Sequence, residues 1–404
     1  MAFRVAISGL KAASGELDVI GNNIANSNTA GFKKSRAEFV DVFAVSSVGG
    51  SGSTPGSGVR LSAIRQQFTQ GNIAFTDNNL DMAINGSGFF ILDDSGTQIY
   101  SRGGAFGVDR NGFLANAQGQ NLIAFGADAS GNITGAAGAI QVNTSNIAPQ
   151  ASANMTVDLN LDAAQGVPAI GVFDATNPNS FNHSTSTTIF DSLGNSHLAS
   201  MYYVKTATAN QWESYTFVDG TQVDGPDTLS FSSTGALTAP ASGTLTTPSF
   251  TPSGGGAAMT LAQDYSATTQ YGSAFSVNAL AQDGFTTGRL SGLDIDSEGI
   301  IFARFTNGQS SVQGQIALAD FPNNQGLQPV SDTSWGETFS SGAVTIGAPG
   351  TASLGLLQAG ALEQSNTDLS EELVNMIIAQ RSFQANAEVI STADTVTQSI
   401  INLR

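Results

Sequence analysis

The sequence predicts a mainly β protein whose two ends are α-helical and pair as a coiled coil, with two β-rich domains nested between them. Three observations carry that prediction. Residues 361–404 contain neither Gly nor Pro, although the chain has 46 glycines in 404 residues. Apolar residues at both ends step by alternating fours and threes, the spacing of a coiled-coil seam. Between the ends the pattern changes to period two, broken every 8–12 residues by Asn-Gly and Ser-Gly pairs that supply the positive φ angles of tight hairpins.

Taken in order, residues 1–30 read as a helix with the stripe Phe3, Ile7, Leu10, Ser14, Leu17, Gly21, Ile24, and with Ile20 beside it. Gly9, Gly15 and Gly21 interrupt it, each costing about 1 kcal/mol relative to Ala. The expectation is a helix that forms only when neighbours cover its stripe. Residues 31–74 read as an extended linker or hinge and include the low-complexity run 46–58, too poor in apolar residues to order itself. A first β domain follows over 75–144 and resumes over 281–360. Its hairpin signals are Phe89–Leu92 before Asp94-Ser95-Gly96, and Phe106–Leu114 around Asn111-Gly112. Residues 145–280 read as an inserted outer β domain with runs at Thr187–Phe190, Ala199–Val204 and Trp212–Val218. Segments near 31–74, 140–147 and 280–286 are the hinge candidates.

The C-terminal helix occupies 366–404. Asp368 with Glu371 three residues on resembles a capping box, and the seam runs Leu369, Leu373, Met376, Gln380, Phe383, Ala387, Ile390, Asp394, Thr397, Ile401. A helix over 368–402 is about 50 Å long. Nesting brings the two ends together so that the stripes can pair.

Composition narrows the chemistry. The chain has no Cys and two His, which leaves no disulfide, thiolate nucleophile or thiolate zinc site and little imidazole chemistry. No cofactor is expected. The net charge is −18, and residues 111–288 hold eleven acidic side chains against Lys205 alone, so nucleic acid is not a partner. The N-terminus lacks the apolar core of a secretory signal and no run of 18 apolar residues occurs, so neither membrane insertion nor a cleaved leader is expected. Asp294-Ile295-Asp296-Ser297-Glu298-Gly299 opens like a calcium loop, but Phe305 stands where the closing Glu is needed; a hairpin turn is the reading. His183, His197 and Asp191 suggest a hydrolytic triad only weakly, because serine is abundant everywhere. Asn22, Asn23 and Asn26 read either as an ordinary helix end or as amides that bond between subunits.

Three stretches carry a resemblance. Ser8–Lys33, with Asn22, Asn23, Asn26, Gly31 and Phe32, resembles the N-terminal signature of the bacterial flagellar rod and hook proteins. Leu373–Ala387, with Gln380 and Arg381, is similar to their C-terminal signature, and Gly86–Phe90 followed by Tyr100–Phe106 to their first β domain. The family contains short rod members and a longer hook member, and the insertion of about 135 residues favours the longer one. The resemblance implies a non-enzymatic subunit that polymerises into a curved tube, a universal joint passing torque from rod to filament. Its partners would be copies of itself, the rod proteins, the hook-cap and hook-filament junction proteins, and the flagellar type III export apparatus, outside the cell. Inner-tube packing would fall to Phe3, Ile7, Leu10, Leu17, Ile20, Ile24, Leu369, Leu373, Met376, Phe383, Ile390 and Ile401. Competing readings are a distal rod subunit, which makes a straight tube, and a secreted β-rich adhesin or hydrolase.

Overall fold

Helices open and close the chain in the computed structural model, which describes residues 2–42, 56–128 and 130–402, the side chains of Ala2 and Ile400 excepted. Helix α1 spans Ala2–Ala25 and α2 spans Leu369–Asn402. The Asp368 carboxylate accepts the N–H groups of Ser370 (2.8 Å) and Glu371 (3.2 Å) and so caps α2. The expected capping box is not completed by Glu371, whose carboxylate reaches Lys34 Nζ at 3.2 Å instead.

The segment read as an extended linker is structured. Strands β1 (Ser35–Asp41) and β2 (Val59–Gln66) pair antiparallel from Ser35↔Gln66 to Asp41↔Val59, with a bulge at Glu38/Phe39. This ribbon lies on α1: the Val59 N–H donates to Ser8 Oγ at 3.1 Å, and Gly15 faces Leu61. Its pairing is not legible locally because the two strands are separated by the low-complexity run and are placed by long-range contacts such as Leu61 on Gly15. Most of the low-complexity run 46–58 lies outside the described residues.

Two compact units divide the chain. The first holds residues 1–144, 292–304 and 310–404, the second 145–291 and 305–309. In the first unit, the hairpin Phe89–Asp94/Thr97–Ser101 turns through Ser95 (φ 56°) and Gly96 (φ 94°), the two left-handed residues of a tight primed turn. This hairpin joins a branched sheet with Asn121–Ala127, Ser310–Ile316 and Ile300–Phe305. Its core gathers Phe89, Ile91, Tyr100, Ile123, Phe321 and Trp335, with edge-to-face rings such as Tyr100–Phe321 at 4.7 Å. The stretch before α2 returns along this body: Leu356–Ala359 pairs with Met82–Asn85, and Ala361–Glu363 with Ile73–Phe75. Asp296 accepts the N–H groups of Glu298 and Ile300 and Gly299 has φ 78°, so the calcium-like sequence is a hairpin turn.

The second unit is a two-sheet β structure. Strands His183–Phe190, Ser196–Lys205, Gln211–Val218, Thr221–Phe231 and Leu237–Ala239 form a sequential antiparallel meander. Thr244–Thr246, Ala262–Asp264, Asn154–Asn160 and Ser276–Gln282 form the other sheet. Strict alternation along Ser196–Lys205 and Gln211–Val218 buries every second residue. Met201, Tyr203, Trp212, Leu229 and Tyr265 fill the core with no exposed surface. The unit runs past the expected boundary at 280 because the ascending and descending chains bond to each other, Ile147↔Gly288 and Gln150↔Phe285.

Candidate assembly surface

Helices α1 and α2 pack along one another, but on a stripe displaced from the one the hydrophobic spacing indicates. On α1 the covered line is Ala6, Gly9, Ala13, Glu16, Ile20, Asn23, of which Ala6, Ala13, Ile20 and Asn23 are buried. On α2 it is Glu372, Met376, Ala379, Phe383, Asn386, Ile390, with Glu372 and Ala379 buried. Both lines step by threes and fours; on α1 every place lies one residue before the predicted seam, and on α2 every second place does, Met376, Phe383 and Ile390 staying on it. Small residues let the helix axes come close: a Cβ added to Gly9 would overlap the Asn386 amide.

The displacement leaves the large apolar side chains outside. Phe3 is 49% exposed, Leu369 48%, Leu373 46% and Ile401 67%. Ile7, Leu10, Leu17 and Ile24 on α1, and Met376, Phe383 and Ile390 on α2, are half-buried. Of the twelve residues expected to pack the inner tube, Ile20 alone is fully taken up within the chain. Sequence reasoning passed over Val374, Ile377 and Ile378, each at least half exposed. Ile377 continues the Leu369, Leu373 row at i, i+4 spacing, and Val374 and Ile378 form an adjacent i, i+4 pair, the signal that would have found them. The first three turns of α2 thus carry a contiguous apolar face, larger than the scattered single residues normal on a surface.

The signature residues divide by role. Asn23, 1% exposed, clamps the start of β1: its Nδ2 donates to Ser35 O (2.8 Å) and its Oδ1 accepts the Ser35 N–H (2.9 Å). Asn26 closes the helix end, donating to Asn22 O at 3.0 Å and accepting from Thr29 Oγ1 at 3.2 Å. The Asn23 and Asn26 amides thus bond within their own chain, as at an ordinary helix end, and the Asn22 side chain is exposed. Gly31 has φ 71° and is buried against the Arg102–Gly103 backbone, where a Cβ would overlap. Phe32 is half-buried, and Gln380 and Arg381 sit on the open side of α2.

The histidines have structural settings. His183 stacks on Phe275 with ring centroids 4.4 Å apart. His197, buried, holds Asp219 Oδ2 at 2.6 Å through Nδ1 and faces Asp191 Oδ2 at 3.5 Å through Nε2. Burial opposes its protonation, but the two carboxylates outweigh burial and raise its pKa. Asp191 is pushed up by burial, yet hydrogen bonds from Asn195, Leu193 and His197 bring it down to about 2. Among the described residues no helix is long and apolar enough to cross a membrane.

Four segments match described domain families: 3–33 the flagella basal body rod protein, 83–160 the flagellar hook protein FlgE/F/G D1 domain, 158–285 the flagellar basal body protein FlaE D2 domain, and 358–403 the flagellar basal body rod FlgEFG protein C-terminal region. The chain is 39% identical to the flagellar hook protein FlgE of Escherichia coli over 422 aligned positions that cover all of both chains. It is 32% identical to that of Rhizobium meliloti, over 99% of this chain and 98% of the relative. The crystal structure of Helicobacter pylori flagellar hook protein FlgE2 has the same fold over 72% of this chain and 100% of its own, with a TM-score of 0.53 at 14% identity.

Proposed function

The chain belongs to the bacterial flagellar hook protein family, and from that premise we infer that it is the structural subunit of a flagellar hook, assembling with copies of itself. The observation that supports this reading most directly is the terminal helix pair, which closes on small residues, turns Phe3, Leu369, Leu373 and Ile377 outward and leaves Leu10 and Leu17 half-buried. Large apolar side chains are each worth about 1.5–3 kcal/mol when covered, and a second copy is the surface that would cover them. Contacts between unlike patches on successive copies propagate into a helical tube rather than a closed ring. Met376, Phe383 and Ile390 would take part on both sides, packing within and between subunits.

In this reading the tube is curved and passes torque between rod and filament. The partners at its ends are the rod proteins, the hook-cap protein and the hook-filament junction proteins. The subunit reaches its place through the flagellar type III export apparatus. A chain with no cysteine and helices that depend on neighbours suits passage through a narrow channel unfolded. The folding of the ends and assembly are then one coupled event.

Electron microscopy of polymers grown from the purified full-length chain tests the reading. Curved tubes are the expected product; straight tubes would transfer the chain to the distal rod, and failure to polymerise under any condition would overturn both. Amide exchange in monomer and polymer tests the coupling: Leu373–Ile390 should gain protection on assembly, and full protection in the free monomer contradicts it.

A further inference from the structure

Three stretches far apart in sequence meet at one buried carboxylate. Glu363, on the strand before α2, has a side chain with no exposed surface. Its Oε1 accepts Lys33 Nζ at 2.5 Å and the Gly71 N–H at 2.8 Å, and its Oε2 accepts Arg102 Nη1 at 3.1 Å. The two cations are likewise enclosed, with side chains 1% and 6% exposed. Lys33, eight residues beyond the end of α1, also donates to Thr69 O at 2.8 Å, and Arg102 Nη2 donates to Gly86 O at 2.8 Å. Backbone bonds follow the same course, with Gly31 N–H on Glu363 O at 2.8 Å. Asn366 adds a second clasp, its Oδ1 accepting the Lys34 N–H at 2.7 Å while its Nδ2 donates to Gln67 O at 2.8 Å and Thr69 Oγ1 at 2.9 Å.

We propose that Glu363 is the keystone of a rigid joint that fixes the exit of α1 and the start of α2 to the β body of the first unit, so that the helices and that body turn as one piece. The proposal rests on the hook reading for its purpose: torque carried by packed helices reaches the β body only through a joint that does not yield. It also removes residues 31–34 and 67–74 from the hinge candidates, because a hinge needs dihedrals free to change and these are tied at both side chain and backbone. A single carboxylate holding two buried cations makes the joint all-or-none. With the anion gone, two like charges stay enclosed without a counter-charge, a condition that strongly destabilises the arrangement around it. Burial already pulls the Lys33 ammonium below its ordinary range, with Glu363 opposing that pull. A surface-exposed pair would have no such leverage, since exposed ion pairs contribute little.

The test is Glu363→Gln in the full-length chain, with Asn366→Ala as the milder variant should the first not fold. Amide exchange on the monomer is read at Gly31, Lys34 and Gly71, and at Met201 and Tyr203 in the second unit. The expected result is at least tenfold faster exchange at the three joint amides with the second unit unchanged, and polymers of altered or irregular helical repeat. Exchange rates within twofold of wild type at the joint, or polymers of unchanged repeat from a chain whose joint amides have loosened, would overturn the proposal. The monomer readout is independent of polymerisation: if the wild-type chain forms no tubes while Glu363→Gln still loosens the joint amides, the hook reading fails and the joint stands.

Discussion

The second unit and the terminal helix pair bury opposite kinds of residue. In the second unit Trp212, Tyr203 and Tyr265 have no exposed surface, and the alternation along each central strand sends large residues in and polar ones out. In the helix pair Ala6, Ala13 and Ala379 are inside while Phe3, Leu373 and Ile377 face solvent. A unit with its large side chains enclosed has finished folding by itself. One that encloses alanine and glycine has kept its main hydrophobic driving force for another surface. The contrast separates the part of the molecule that is stable alone from the part that is completed by copies.

The largest effects should break this contrast from either side. Trp212→Ala is expected to cost the second unit about 3–5 kcal/mol, since it also loses the bond from Nε1 to Gln270 Oε1; chemical unfolding measures it, and a loss below 1 kcal/mol would mean the core is not the unit's support. Leu373→Ser combined with Ile377→Ser should leave monomer unfolding within about 0.5 kcal/mol of wild type, yet raise the critical concentration for polymerisation about 100-fold, equivalent to about 3 kcal/mol of lost burial. Sedimentation of polymer against protein concentration decides it, and unchanged assembly would remove this face from the interface.

Two glycines sharpen the comparison within α1. Gly9 is pressed against Asn386, whereas a Cβ on Gly21 meets nothing within 4 Å. Gly9→Ala should therefore destabilise the helix pair by about 1 kcal/mol net through overpacking, and Gly21→Ala should stabilise α1 by about 1 kcal/mol. Monomer amide exchange over Ala6–Ile20 reads both. If Gly21→Ala stabilises the monomer but prevents tubes, a neighbouring copy occupies that space; if both variants shift exchange the same way, the seam is misplaced.

The smallest expected effect is the pH response of the second unit. His197 has its folded pKa raised above the unfolded 6.5 by Asp219 and Asp191. Its contribution is thus complete below pH 6.5 and is lost as pH rises through the folded value. Thermal unfolding of the second unit should weaken slightly across that alkaline window, and His197→Asn should abolish the slope; a slope of the opposite sign would contradict the ion-pair geometry.

Legibility in the sequence followed the range of the interactions. Helix α2 was readable because its cap Asp368 and its Gly- and Pro-free run are local, although it starts at Leu369 rather than at 366. The strands Ser196–Lys205 and Gln211–Val218 were readable because alternation is local too. The ribbon of Ser35–Asp41 and Val59–Gln66 was not, because its strands are separated by the low-complexity run and are placed by long-range contacts such as Leu61 on Gly15. The boundary at 291 was missed because it depends on bonds such as Ile147↔Gly288. Val374, Ile377 and Ile378 were passed over because a single seam was sought where α2 carries two faces.

The amino-acid order alone determined that the ends are helices, that the middle is sheet, and that apolar stripes run along both helices, since each depends on residues within a few turns or a strand of one another. The tertiary structure decided which stripe the chain covers for itself and which it leaves open. It also decided that Lys33 and Glu363, 330 residues apart, form one buried ion pair. Periodicity reports that a face is apolar and carries no information about what lies against it; only close approach in space, where a missing Cβ at Gly9 or a buried carboxylate at Glu363 becomes a constraint, selects the partner.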